Sequence, residues 1–171
     1  MIGNVNMSNE ELTMQTLQVP PHIIVSRILQ NNNNAYLATH SVDCEGYPFA
    51  SFVPYVLDDT NAIIILISAL AEHTKNIEQN SKISLLIIDE HSEQFSQDKP
   101  QAARISLFCL AEKVAKEKQL LVADQYVSVF PDSKMFYEKL DFSFFRLLPQ
   151  RVRLIEGFGR VTWVDYPFKN D

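Results

Sequence analysis

The segment Ser68-Ala-Leu-Ala-Glu-His73-Thr74-Lys75 is rich in groups able to hold an anion. An apolar run precedes it and helical spacing follows, so it reads as a strand-to-helix junction. Backbone N–H groups at a helix start lack intrahelical partners, and the helix dipole favours negative charge there. Ser68, read as the N-cap, and Thr74 add hydroxyl donors, while His73 and Lys75 add nitrogen donors. Such a set would cradle a terminal phosphate or a carboxylate. It equally describes a plain capped helix with a solvated face. Arg104, at the start of a later strand, is a second candidate. Phe142, Phe144, Phe145 and Arg146 would form one wall of a flat pocket, or else core or interface. Arg151 and Arg153 alternate along a strand and so share a face, where they would bind an anion or pair with surface carboxylates.

Other chemistries find no support. No glycine-flanked serine or local Cys/His signature marks a nucleophile. With only 4 glycines, phosphate loops of the P-loop or dinucleotide type are absent. His22, His40, His73 and His91 lack metal-ligand spacing, so no metal site is expected. Cys44 and Cys109 are too far apart for a redox motif and read as reduced thiols.

The elements that must position these residues follow from periodicity. Met1 to Gln18 is polar, and residues 1–20 are expected to be a flexible segment, which leaves one domain over 21–171. Ile23, Ile24, Ile28 and Leu29 give a first helix from Pro21 to Gln30, closed by Asn31 to Asn34. Strands are expected over 35–40, 49–57 and 62–67, with Pro54 marking an edge or bulge. The run Ala62 to Ile67 is apolar throughout, as in a strand buried on both faces. A short helix over 69–80 leads to strands at 82–89 and 102–114, with a polar loop between them over 90–101. A helix over 116–130 and another over 132–140 come before the last strands, at 142–148, 151–155 and 159–164. Consecutive strands joined by short turns point to an antiparallel barrel rather than a doubly wound sheet.

The chain has 171 residues, 46% of them hydrophobic, and a net charge of −6. The acidic balance argues against a nucleic-acid partner, since phosphate neutralisation needs a basic surface. No apolar stretch approaches the ~20 residues that span a bilayer, and the start lacks a signal-peptide pattern. A cytoplasmic protein with no membrane partner is expected.

The runs YLATH, EGYPFASFVPYVLDD, LISALAEHTKNIEQNSKISLLIID, ARISLFCLAEKV and LDFSFFRLLPQRVRLIEGFGRVTWV resemble the pyridoxamine 5′-phosphate oxidase-like FMN-binding split barrels. More narrowly they resemble the heme-utilisation (HugZ-type) branch, from about Ala35 to Val164. The resemblance implies a mainly β chain with helices: a six-stranded antiparallel split β-barrel with flanking helices. It also implies a homodimer with cofactor sites at the interface. In FMN-binding members the phosphate lies at the strand-to-helix junction, which here carries Ser68, His73, Thr74 and Lys75, with further contacts from the strand at Arg104. The first expectation is thus an FMN-dependent oxidoreductase. The alternative is a heme-binding or heme-degrading protein, and a third is a cofactor-free or carrier barrel. Heme-degrading members of the branch use a histidine in a C-terminal tail or loop as iron ligand. This sequence ends WVDYPFKND with no histidine beyond His91, and Tyr166 is the substitute that its tail offers.

Overall fold

Pro20 and Pro21 set where regular structure begins. The computed structural model describes residues 19–92, 102–157 and 159–166. Most of the expected flexible segment over 1–20 and most of the expected loop over 90–101 therefore lie outside the described residues. Helix α1 (Pro21–Asn31) has proline in its first turn, where the missing N–H costs nothing. It buries Ile24, Val25, Ile28 and Leu29 on one face. Asn32 stops it: its backbone is extended and its side-chain amide donates back to the Ile28 carbonyl at 2.8 Å.

The strands are β1 (Asn34–His40), β2 (Pro48–Pro54), β3 (Val56–Leu57), β4 (Ile63–Ser68), β5 (Lys82–Ile88), β6 (Arg104–Lys113), β7 (Phe142–Glu156) and β8 (Arg160–Asp165). Helices α2 (Glu72–Gln79), α3 (Gln119–Val129) and α4 (Ser133–Lys139) are set between them. All pairings are antiparallel, in one 8-stranded sheet ordered β2-β1-β5-β6-β7-β4-β3, with β8 also on β7. The sheet curls, so that β2 touches β4 although the two are far apart along the ladder.

The strand count corrects the expected six, and two prolines account for how the segments divide. Pro54 ends β2, and Tyr55 turns inward, its hydroxyl donating to the Leu29 carbonyl at 2.9 Å. The expected strand over 49–57 is thus cut into β2 and β3. Pro149 instead joins what looked like separate strands. The pairing with β6 shifts register between Phe108 and Cys109, and Cys109 faces Pro149 while Phe108 faces Arg151. Gln150 is the extra residue of a bulge, a position that tolerates the neighbouring proline's missing donor. β7 therefore runs on for 15 residues.

The concave face packs Leu37, Val53, Ile65, Leu85, Leu107 and Leu147 around α1. A second cluster lies under α3 and α4 on the convex face, where Ile64, Leu66 and Phe144 meet Ala123 and Tyr126. β4 thus has core on both sides, which explains its unbroken apolar run. Each such side chain contributes about 1.5–3 kcal/mol by leaving water. Among the described residues no helix is long and apolar enough to cross a membrane.

Candidate functional site

The β4–α2 junction is closed by the chain itself. Ser68 does not cap the helix, which corrects the expected start. The first turn begins at Glu72, with Ala71 at the cap position and no side-chain cap bond. Ser68 Oγ instead donates to Asp141 Oδ2 at 2.8 Å. The Leu70 N–H reaches both Ser68 Oγ at 3.1 Å and Asp141 Oδ2 at 3.3 Å. Asp141 thus occupies the place of an incoming anion. Thr74 is buried and its hydroxyl donates to the Ser68 carbonyl at 2.6 Å. Lys75 is exposed and lies 3.9 Å from Glu72. His73 is half-buried, and burial holds its imidazole below the ordinary histidine value.

Asn76, fully buried, fixes α2 on the sheet by donating to Thr39 Oγ1 at 2.9 Å and accepting from the Val42 N–H at 2.8 Å. Arg104 is not part of this group within one chain. It pairs with Ile155 near the end of β7, whereas Ser68 pairs with Phe142 at its beginning. Ser68, His73, Thr74 and Lys75 are therefore together, and Arg104 is at the far end of the sheet.

The aromatic run does not form one wall together: Phe142 lines a pocket beside Phe136, whereas the next two rings do not share a face. Phe144 and Phe145 are buried on opposite faces of β7, as strand alternation requires. Arg146 holds the β3–β4 hairpin: its Nε donates to Asp58 Oδ2 at 2.8 Å and its Nη2 to Thr60 Oγ1 at 3.1 Å. Burial alone would raise the Asp58 pKa, but hydrogen bonds from Thr60 and Arg146 outweigh it and hold the carboxyl below its ordinary value. Asn61 closes the hairpin with φ 61°, a left-handed conformation that asparagine tolerates. Its carbonyl accepts from the Tyr166 hydroxyl at 3.0 Å. Burial, with the Asp58 charge adding to it, raises the Tyr166 pKa.

The convex face beyond the reach of α3 and α4 is different. A solvated sheet face is normally polar. Here a row in register runs Phe52, Tyr36, Leu86, Ser106, Arg153, Trp163. The next row carries Ala38, Ser84, Phe108 and Arg151. In the single chain Phe52 is 58% exposed, Tyr36 48%, Phe108 47% and Trp163 41%. The rings are preorganised. Tyr36 meets Phe52 edge-on at 5.9 Å, and Phe108 lies 5.8 Å from Trp163. The guanidiniums of Arg151 and Arg153 sit 4.3 and 4.8 Å from the Trp163 ring centre, a cation–π arrangement. His40 and Lys82 border a hollow of about 220 Å³ beside Phe108 on the same face.

This surface suits a flat apolar molecule that carries carboxylates. The rings cover its plane, the arginines and Lys82 its anionic edge, and an imidazole is at hand. Sequence reasoning had placed Arg151 and Arg153 on one face but missed Tyr36, His40, Lys82, Phe108 and Trp163. The signal was present in β1, where Tyr36, Ala38 and His40 alternate with buried Ala35, Leu37 and Thr39. Cys44 is exposed and Cys109 buried, and burial pushes the Cys109 thiol up to about 12, so it is unreactive. Among the described residues no cluster of His, Cys, Asp and Glu could hold a metal ion.

The family model described as "CREG, beta-barrel" matches residues 23–169. The chain belongs to the CREG β-barrel family. This CREG-type barrel is 33% identical over 134 residues to the chloroplastic heme oxygenase HOZ of Arabidopsis thaliana, a match covering 78% of this chain and 39% of HOZ. It is thus similar to well under half of that relative's length. To the heme oxygenase HutZ of Vibrio cholerae it is 26% identical over 159 residues, 91% of this chain and 88% of HutZ. Among solved structures, a heme-binding protein from Mycobacterium smegmatis superposes with TM-score 0.74 at 27% identity, over 87% of this chain and 60% of that one. The split-barrel fold is shared more widely: a pyridoxinephosphate oxidase family protein from Clostridium acetobutylicum has TM-score 0.63 at 13% identity, over 85% of this chain and 94% of that one. The resemblance read from the sequence therefore holds at the level of family and fold.

Proposed function

We propose that this CREG-type barrel binds heme on its open convex face as a homodimer, and that it is a heme-degrading protein. One observation carries the reading: HOZ and HutZ, both named heme oxygenases, match 78% and 91% of this chain. The chemistry of the open face fits the ligand. Arg151, Arg153 and Lys82 would hold its carboxylates, and Phe108, Tyr36 and Trp163 its ring plane. His40 offers a nitrogen of the kind that binds heme iron. Bound heme would supply the redox chemistry. The protein would orient it and exclude water from it, and a second copy laid over the exposed rings would complete that exclusion.

This reading displaces FMN as the first expectation. A flavin phosphate would need the junction of Ser68, His73, Thr74 and Lys75, and Asp141 already takes two of its donors. Of the four side chains, His73 and Lys75 would be left to anchor it there. Titrating the purified chain with heme and, separately, with FMN distinguishes the two. The expected result is a Soret band that saturates near one heme per chain, and its decay with a biliverdin-type product when reductant is added. Sedimentation should give twice the chain mass. A yellow FMN complex at micromolar ligand with no Soret shift would reverse the assignment.

A further inference from the structure

A second pocket lies on the other part of the convex face. It is an open hollow bordered by α3, α4, the turn that joins them and the strands beneath, and has a volume of about 410 Å³, within the range of small-molecule sites. Its walls are aromatic. Tyr126 and Phe130 lie 5.1 Å apart, and Phe136 stacks on Phe142 at 5.2 Å with 23° between the rings. Leu66 and Pro54 form the floor. The polar groups are few and mostly spent. The Tyr126 hydroxyl donates to the Pro54 carbonyl at 3.3 Å and Ser133 Oγ to the Phe130 carbonyl at 2.6 Å. Among the described residues no lysine, arginine or histidine lines the pocket, and its one carboxylate is Asp132, exposed at the rim.

Ring faces attract cations through their quadrupole, and a nearby carboxylate adds to that attraction. An anionic ligand would meet a carboxylate and no counter-charge. From this aromatic lining and rim acid we infer that the pocket binds a small organic cation, an alkyl- or arylammonium whose apolar body fills the cavity while its charge sits between the rings and Asp132. The Tyr126 phenol is neutral at physiological pH even at its ordinary value, and burial pushes it further up, to about 12, so that wall carries no charge. The site shares no residue with the heme face, so it stands whether or not heme binds.

Calorimetric titration of the full chain tests this, with phenethyltrimethylammonium as one probe and 3,3-dimethylbutylbenzene, the same shape without charge, as the other. The ammonium should bind about tenfold more tightly than its neutral twin. Asp132→Asn should remove most of that preference. Val129→Trp, at a half-exposed position on the rim, should block both probes while circular dichroism shows a folded protein. Equal affinity for the two probes, a preference that survives Asp132→Asn, undiminished binding in Val129→Trp, or no ammonium binding at millimolar concentration would each overturn the site.

Discussion

The β4–α2 junction and the open convex face have opposite economies of polar groups. At the junction the donors are used internally: Ser68, Thr74 and the Leu70 N–H all find partners within the chain, and Asp141 supplies the negative charge. On the open face Trp163 and Phe108 remain exposed, and both neighbouring arginines lie over an aromatic ring. Among the described residues Arg151 has, besides, a 3.9 Å contact with an exposed Asp165. A surface ion pair of that kind contributes little, so the guanidinium can turn to a ligand at small cost. A cluster of donors in a sequence thus says less about binding than whether the fold has already consumed them.

The sharpest way to break this contrast is to reverse charge on the open face. Arg151→Glu with Arg153→Glu should weaken heme binding by at least about 150-fold, because each loses a charge-assisted contact of roughly 1.5–3 kcal/mol. The melting temperature should change little, since both sites are at the surface. Unchanged heme affinity would move the site elsewhere. Asp141→Ala comes next. Loss of its acceptors at the junction should cost about 1 kcal/mol in urea unfolding and leave the Soret titration unaltered. If the variant gains FMN affinity, the junction is a phosphate site held shut by its own carboxylate.

The smallest effect concerns His73. Its folded pKa is below the unfolded value of about 6.5, so the unfolded chain binds more protons. The stability it contributes is full above that unfolded value and declines as pH falls toward the folded one. Thermal melts from pH 7.5 to 5 should show this slope, and His73→Gln should flatten it.

Much of the fold was legible because its segments obey simple periods. The unbroken apolar run of β4 announced a strand buried on both faces, and α1 was marked by Pro21 and its apolar stripe. Strand boundaries were misread where proline acts through its neighbours. Pro54 divides a segment because Tyr55 has a buried partner, and Pro149 fails to divide one because a bulge absorbs it. The junction was legible as a group of residues but not in its use, since Asp141 comes from a strand start far along the chain. The open face was hidden for a related reason. Its rows draw single residues from successive strands, and no local window contains Tyr36, Phe108 and Trp163 together.

The double burial of β4 bears on how the chain must be made. As Ile63 to Ser68 leaves the ribosome, only the two residues of β3 are available to pair with it. Its long partner, Phe142 to Leu147, is synthesised much later, as are α3 and α4, which cover its other face. Until then a strand of isoleucines and leucine presents two greasy sides and an open edge, the kind of segment that seeds aggregation. A chain stalled or cut before Phe142 should therefore depend on chaperones for solubility, whereas one that has passed Glu156 should not.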